Sequence, residues 1–139
     1  VVGAGPEAPR IRATARANVK LVGEVSDEEL RDYYRHCRAL IFPGEEDFGI
    51  VPVEAQACGR PVIAYGRGGA LESVVPGRTG MFFGSQTVDA LAAAIRSFDP
   101  ATFDSTVIRR HAERFSLREF EERIVAFVEN ATAGLRRTA

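Results

Sequence analysis

The stretch whose reading decides the fold runs from Ile41 to Pro61, IFPGEEDFGIVPVEAQACGRP. In order it reads as strand end, acidic turn, glycine, helix and stop. Ala39 to Phe42 is a short apolar run suited to a buried strand. Pro43 and Gly44 break it, and Glu45, Glu46 and Asp47 place three carboxylates in one tight loop. Gly49 permits close backbone approach. A helix is expected from about Ile50. Pro52 is tolerated in its first turn, where the amide that proline lacks would go unpaired anyway. Gly59 is placed to stop the helix and Pro61 keeps it stopped. The amides of Gly49, Ile50 and Val51 would then lie free at a helix N-terminus, a ready site for an anion such as a phosphate.

Two carboxylates flank those amides. Glu46 lies in the loop and Glu54 about one turn into the helix, with seven residues between them. One anion site between two hydroxyl-binding carboxylates suits a sugar–diphosphate–ribose ligand. The competing reading is a solvated acidic turn before an ordinary helix. A metal site at Glu45-Glu46-Asp47 is disfavoured, because three consecutive acids cannot all face one ion without strain.

Glu46, Phe48-Gly49, Glu54-Ala55, Ala57, Gly59 and Pro61-Val62-Ile63-Ala64 together resemble the donor-binding half of GT-B fold retaining glycosyltransferases of group 1 (family 4). The resemblance covers Val1 to about Ala94. The wording EEDFGIVPVEAQACGRPVIAYGRGGALE is closest to bacterial polysaccharide mannosyltransferases. The resemblance implies a nucleotide-sugar donor, GDP-mannose or a UDP-hexose, with no metal or other cofactor. Glu46, the expected catalytic position, would hold a donor-sugar hydroxyl, and Glu54 the ribose hydroxyls. Phe48, Gly49, Ile50 and Val51 would offer amides to the sugar and diphosphate, with the loop through Gly69 close by. The turn Gly23 to Asp27 would line the base, through the amides of Val25 and Ser26 and the carboxylate of Asp27. A nucleotide-sugar epimerase and a non-catalytic nucleotide-sugar-binding module are the alternatives.

Working outward, the chain of 139 residues is long enough for one domain with a real core. Its net charge of -1 implies no polyanion partner, so nucleic acid is not expected. No apolar run approaches a membrane span and no signal peptide is visible, which fits a cytoplasmic setting, with the whole protein free to work at the inner membrane face. Cys37 and Cys58 read as buried free thiols more readily than as a disulfide.

Val1-Val2 before Gly3-Ala4-Gly5-Pro6 reads as a strand end and turn, as in a chain that starts inside a domain. The basic residues that neutralise the diphosphate in the family, a central strand beside Ala39–Phe42, and an N-terminal acceptor domain would then lie upstream. The fragment is expected to bind donor weakly and to transfer nothing. A helix over Ile11–Ala17 and a strand over Val19–Val22 follow. Ser26 and Glu29 form a capping box. The helix they open carries Leu30, Tyr33, Tyr34 and Cys37 on one face. Strands are expected at Val62–Tyr65 and Gly80–Phe83, and a short helix over Ala70–Val75.

Thr87 should cap a helix with Val88, Leu91, Ala94, Ile95 and Phe98 on its apolar face. A further turn or two is expected near Val107–Arg114. Ser116 with Glu119 opens an amphipathic helix bearing Leu117, Phe120, Ile124, Phe127, Val128 and Ala131. His36 and His111 read as ordinary histidines. Alternating strands and helices argue an α/β, Rossmann-like parallel sheet with helices on both faces. It would fill residues 1–133 as one domain, with 134–139 a frayed tail. Ligands of such sheets bind at the carboxyl ends of the strands, where Gly3–Pro6, Gly23–Asp27, Gly44–Gly49 and Gly66–Gly69 all fall.

Overall fold

A computed structural model describes the backbone of residues 1–137 and the side chains of residues 1–133. The chain gathers into two compact units, Val1–His36 and Cys37–Ala139.

The first unit holds two helices, α1 (Ala8–Thr14) and α2 (Asp27–His36). The first starts three residues earlier than expected because Pro9 sits in its opening turn, where a fixed φ favours helix. The strand expected over Val19–Val22 does not form. Gly23 makes only isolated bridges with Val2 and Gly3. Val22 N donates to Val1 O at 3.0 Å and Gly3 N to Gly23 O at 2.7 Å. A two-stranded pairing this short cannot sustain a regular ladder.

The second unit is built on a parallel sheet of β1 (Leu40–Phe42), β2 (Val62–Tyr65) and β3 (Gly80–Phe83), in that order. The helices between and after them are α3 (Ile50–Ala57), α4 (Ala70–Ser73), α5 (Val88–Ser97), α6 (Ser105–Ala112) and α7 (Leu117–Arg137). Register pairs Leu40 with Val62 and Phe42 with Ala64, then Val62 with Gly80 and Ala64 with Phe82. Side chains alternate across a strand, so Phe42, Val62 and Ala64 share one face. Phe42 reaches the start of α3 there, its ring within 3.2 Å of where a Cβ on Gly49 would stand. Ile63, Tyr65, Met81 and Phe83 share the other face and pack with Ala90, Leu91, Ala94 and Phe98 of the α5 segment. Helices therefore flank both faces, as the alternation predicts.

Burial corrects three local readings. β1 is an edge, and Ile41 is 44% exposed instead of buried. Val88 and Ile95 lie outside the packed face of α5, at 84% and 43% exposure. The apolar stripe of α7 is exposed from Leu117 through Val128. This last helix also continues to Arg137, past Gly134. One glycine costs a helix only about 1 kcal/mol and is no stop without a capping turn. Thr138 and Ala139, the end of the expected tail, lie outside the described residues. Neither cysteine forms a disulfide among the described residues; both are half-buried, and burial pushes the Cys37 thiol up.

Candidate functional site

The site is assembled where β1 and β2 end. Parallel neighbours end on the same rim, so the loops after Phe42 and Tyr65 emerge side by side. Gly49 opens α3 with φ +77°, a backbone state that disfavours any residue with a Cβ. Having no side chain, Gly49 supplies no side-chain cap to the helix. Among the described residues no backbone carbonyl outside the helix accepts from the amides of Ile50 or Val51. The far end of α3 is closed by protein. Gly59 N donates to Gln56 O and Arg60 N to Ala55 O, at 2.8 and 2.9 Å, the Schellman arrangement predicted by the glycine. α3 thus keeps its positive end open and its negative end satisfied.

The two glutamates sit in different elements. Glu46 is exposed in the loop, while Glu54 is half-buried in the second turn of α3 and already engaged within the protein. The helical rise puts Glu54 about 7 Å along the axis from Gly49.

The glycine loop after β2 is locked to the acidic loop. Gly69 N donates to Glu46 O at 2.7 Å. A Cβ on Gly69 would stand 2.2 Å from Phe48 O and 2.3 Å from Phe48 Cα, so only glycine fits. This answers what Gly69 does: its amide is committed to the neighbouring loop, and it shapes the site instead of donating to a ligand. Arg67 is exposed on the same loop. The loop after β3 adds a third tie, since Gln86 Nε2 donates to Pro43 O at 2.9 Å.

Phe48 is 40% exposed and meets Phe115 edge-on, with centroids 5.7 Å apart. Both line a groove of about 650 Å³ whose other walls are Leu117, Phe120, Ile124 and Phe127, with Arg114 and Arg123 beside them. The carboxylates lie outside that groove's lining. Among the described residues, no three His, Cys, Asp or Glu side chains gather as a metal-ligand set.

In the first unit, Val25, Ser26 and Asp27 lie at the start of α2. Here the capping role is explicit. Ser26 N and Oγ each lie 2.9 Å from a Glu29 carboxylate oxygen, and Glu29 N donates to Ser26 Oγ at 3.3 Å. Those bonds to Ser26 hold the Glu29 carboxyl below its usual range. The Ser26 amide is therefore taken by protein.

Three residues that support the site were missed by sequence reasoning: Gln86, His111 and Phe115. Each acts across more than 30 residues, and no local pattern signals a contact of that span.

A parallel sheet flanked by helices on both faces is Rossmann-like, and its solved neighbours are GT-B glycosyltransferases. It aligns with sucrose-phosphate synthase of Thermosynechococcus elongatus at a TM-score of 0.77 and 30% identity, covering 96% of this chain and 38% of that one. Anabaena HepE, solved in complex with UDP-glucose, aligns at 0.65 and 25% identity, over 88% of this chain and 35% of that one.

The family "Glycosyl transferases group 1" matches residues 1–98, and the chain belongs to it. A D-inositol 3-phosphate glycosyltransferase of Streptomyces avermitilis is 40% identical over 96 residues, 66% of this chain. The match is 21% of that relative's length, so the chain spans about a fifth of it. No described helix is long and apolar enough to cross a membrane.

Proposed function

We propose that this chain is the donor-binding part of a retaining hexosyltransferase, which moves a sugar from a nucleoside diphosphate to a glycan or lipid-linked acceptor. One observation carries the reading: uncapped amides at the start of α3 lie between Glu46 and Glu54, on a rim locked by Gly69. Partial positive charge of about half an elementary unit gathers at such a helix start. As the bond from anomeric carbon to phosphate oxygen breaks, negative charge grows on the diphosphate, and fixed donors aimed there lower the barrier. Glu54 accepts the ribose hydroxyls and Glu46 a hydroxyl of the sugar.

The wording of the acidic stretch suggests GDP-mannose. The UDP-glucose complex of HepE supports a UDP-hexose instead, and that is the donor we adopt. Acceptor choice and transfer belong to the whole protein, and the 139-residue chain alone is expected to bind donor weakly without turnover.

Calorimetry of the chain with UDP, UDP-glucose, GDP and GDP-mannose tests this. Glu54→Gln should weaken UDP and UDP-glucose alike, by about ten- to a hundredfold, as expected for losing hydrogen bonds to a charged group. Glu46→Gln should weaken only the sugar-bearing ligand. A folded chain that binds none of the four, or binding indifferent to both changes, would refute the proposal.

A further inference from the structure

We propose that His111 is a positioning residue for the sugar end of this site, holding the acidic loop in place from α6. The inference rests on the donor-site reading above and adds a residue to it.

Two separate routes lead from the His111 ring to the loop. The first is a chain of hydrogen bonds. His111 Nε2 lies 3.1 Å from the carbonyl of Ser73, which can only accept, so this nitrogen carries the proton. Ser73 is fully buried, and its Oγ donates to Gly69 O at 3.2 Å. Gly69 N in turn donates to Glu46 O at 2.7 Å. The second route is aromatic. The imidazole meets Phe115 edge-on at 5.8 Å, and Phe115 meets Phe48 edge-on at 5.7 Å. One route ends on the backbone of Glu46 and the other on the ring of Phe48, two residues apart on one loop.

Neither route runs through α3; α6 does pack on that helix, at its closed end where Ser105 meets Gly59, and neither route bears on the amides of Ile50 and Val51. Its loss should therefore be felt by the sugar and not by the nucleotide. α6 is itself anchored independently, by Asp104 Oδ1 accepting from Thr106 N at 2.7 Å and by Ile108, which has no exposure.

The charges that bear on the ring come from Arg114, in the turn after α6, and Arg78, in the turn before β3. Burial above all, and then these two charges, lower the ring's pKa from its ordinary value, against the bond to Ser73 O, which raises it. A second proton on it would add charge beside two guanidiniums.

The test compares two variants of the 139-residue chain. His111→Phe keeps a ring against Phe115 and removes the N–H. His111→Gln keeps an N–H donor and removes the ring. Affinities for UDP-glucose and UDP are measured by calorimetry, and the amide resonances of Phe48, Gly69 and Gly84 by NMR. In the wild-type chain the Phe48 and Gly69 resonances should move as acid protonates His111, while Gly84 stays still.

His111→Phe should cut the preference for UDP-glucose over UDP by about tenfold, the order of one lost hydrogen bond, with UDP affinity unchanged. His111→Gln should restore part of it. Equal weakening of both ligands, or no change in either, overturns the proposal. If the wild-type chain binds neither ligand, the donor reading has failed, and the resonances decide this one separately. Displacement of Phe48 and Gly69 in His111→Phe with Gly84 unmoved sustains it, and unmoved Phe48 and Gly69 overturn it. Should both variants fail to fold, the wild-type acid titration decides between these outcomes by itself.

Discussion

Gly69→Ala is the sharpest probe of how the rim is built. The added methyl would stand 2.2 Å from Phe48 O and 2.3 Å from Phe48 Cα. Ordinary contact begins near 3.4 Å, so the two loops must part by about 1.2 Å. That movement strains or breaks the 2.7 Å bond from Gly69 N to Glu46 O, worth about 1 kcal/mol net. Overpacking between backbone segments adds about 1–3 kcal/mol. Alanine also narrows the unfolded ensemble, which offsets about 0.4–1 kcal/mol. The expected net loss is about 1–3 kcal/mol.

Urea unfolding of the 139-residue chain measures this loss against Gly84→Ala, where an added Cβ meets nothing within 4 Å and the cost should stay within about 0.5 kcal/mol. Gly69→Ala should also lose UDP-glucose binding and spare most UDP binding, because the parted residues are 46 and 48. If Gly69→Ala unfolds with the wild-type midpoint, or Gly84→Ala loses as much, the interlocked-loop account is wrong.

Other outcomes follow from the same geometry. Ile63→Ala, at a position 2% exposed beneath α5, should cost about 2–5 kcal/mol by thermal or urea unfolding. Asp104→Ala removes the cap bonded to Thr106 N and Val107 N at 2.7 and 3.3 Å, and should cost about 1 kcal/mol in the same measurement. The folded-state carboxyl of Glu29 titrates below its ordinary value because Ser26 bonds to it. The box's contribution is therefore complete above the unfolded pKa and fades as pH falls through the lower folded one. The stability difference between wild type and Glu29→Ala should be constant at neutral pH and shrink in acid.

Strong local signals carried most of the fold. The apolar runs ending at Phe42, Tyr65 and Phe83, each followed by glycine or proline, located all three strands of the sheet within a residue. Gly59 placed the end of α3, and Ser26 with Glu29 placed the start of α2, because a cap is specified by residues next to one another. Val19–Val22 misled because apolar composition says what a strand would be made of and not whether a partner of sufficient length lies beside it. Ile41 is exposed because β1 stands at the edge of the described sheet, on the side where the resemblance implies a further strand. Around the rim, the turn at Glu46, the left-handed Gly49 and the helix that carries Glu54 were legible because each follows from neighbouring residues. Gly69 is visible as a loop glycine, but its role is not, as its close approach to Phe48 is a property of two loops together. His111 reads as an ordinary histidine because its partner, Ser73, lies 38 residues away.

The hydrogen-bond direction around the rim has a consequence for selectivity. The carbonyls of Pro43, Glu46 and Gly69 are each consumed by a neighbour: Gln86, Gly69 and Ser73. Main-chain lone pairs are thus turned toward the protein, while the first amides of α3 stay uncapped. The backbone there favours electron-rich guests, and any oxygen offered to a cation on this rim comes from the acidic side chains instead of those three carbonyls.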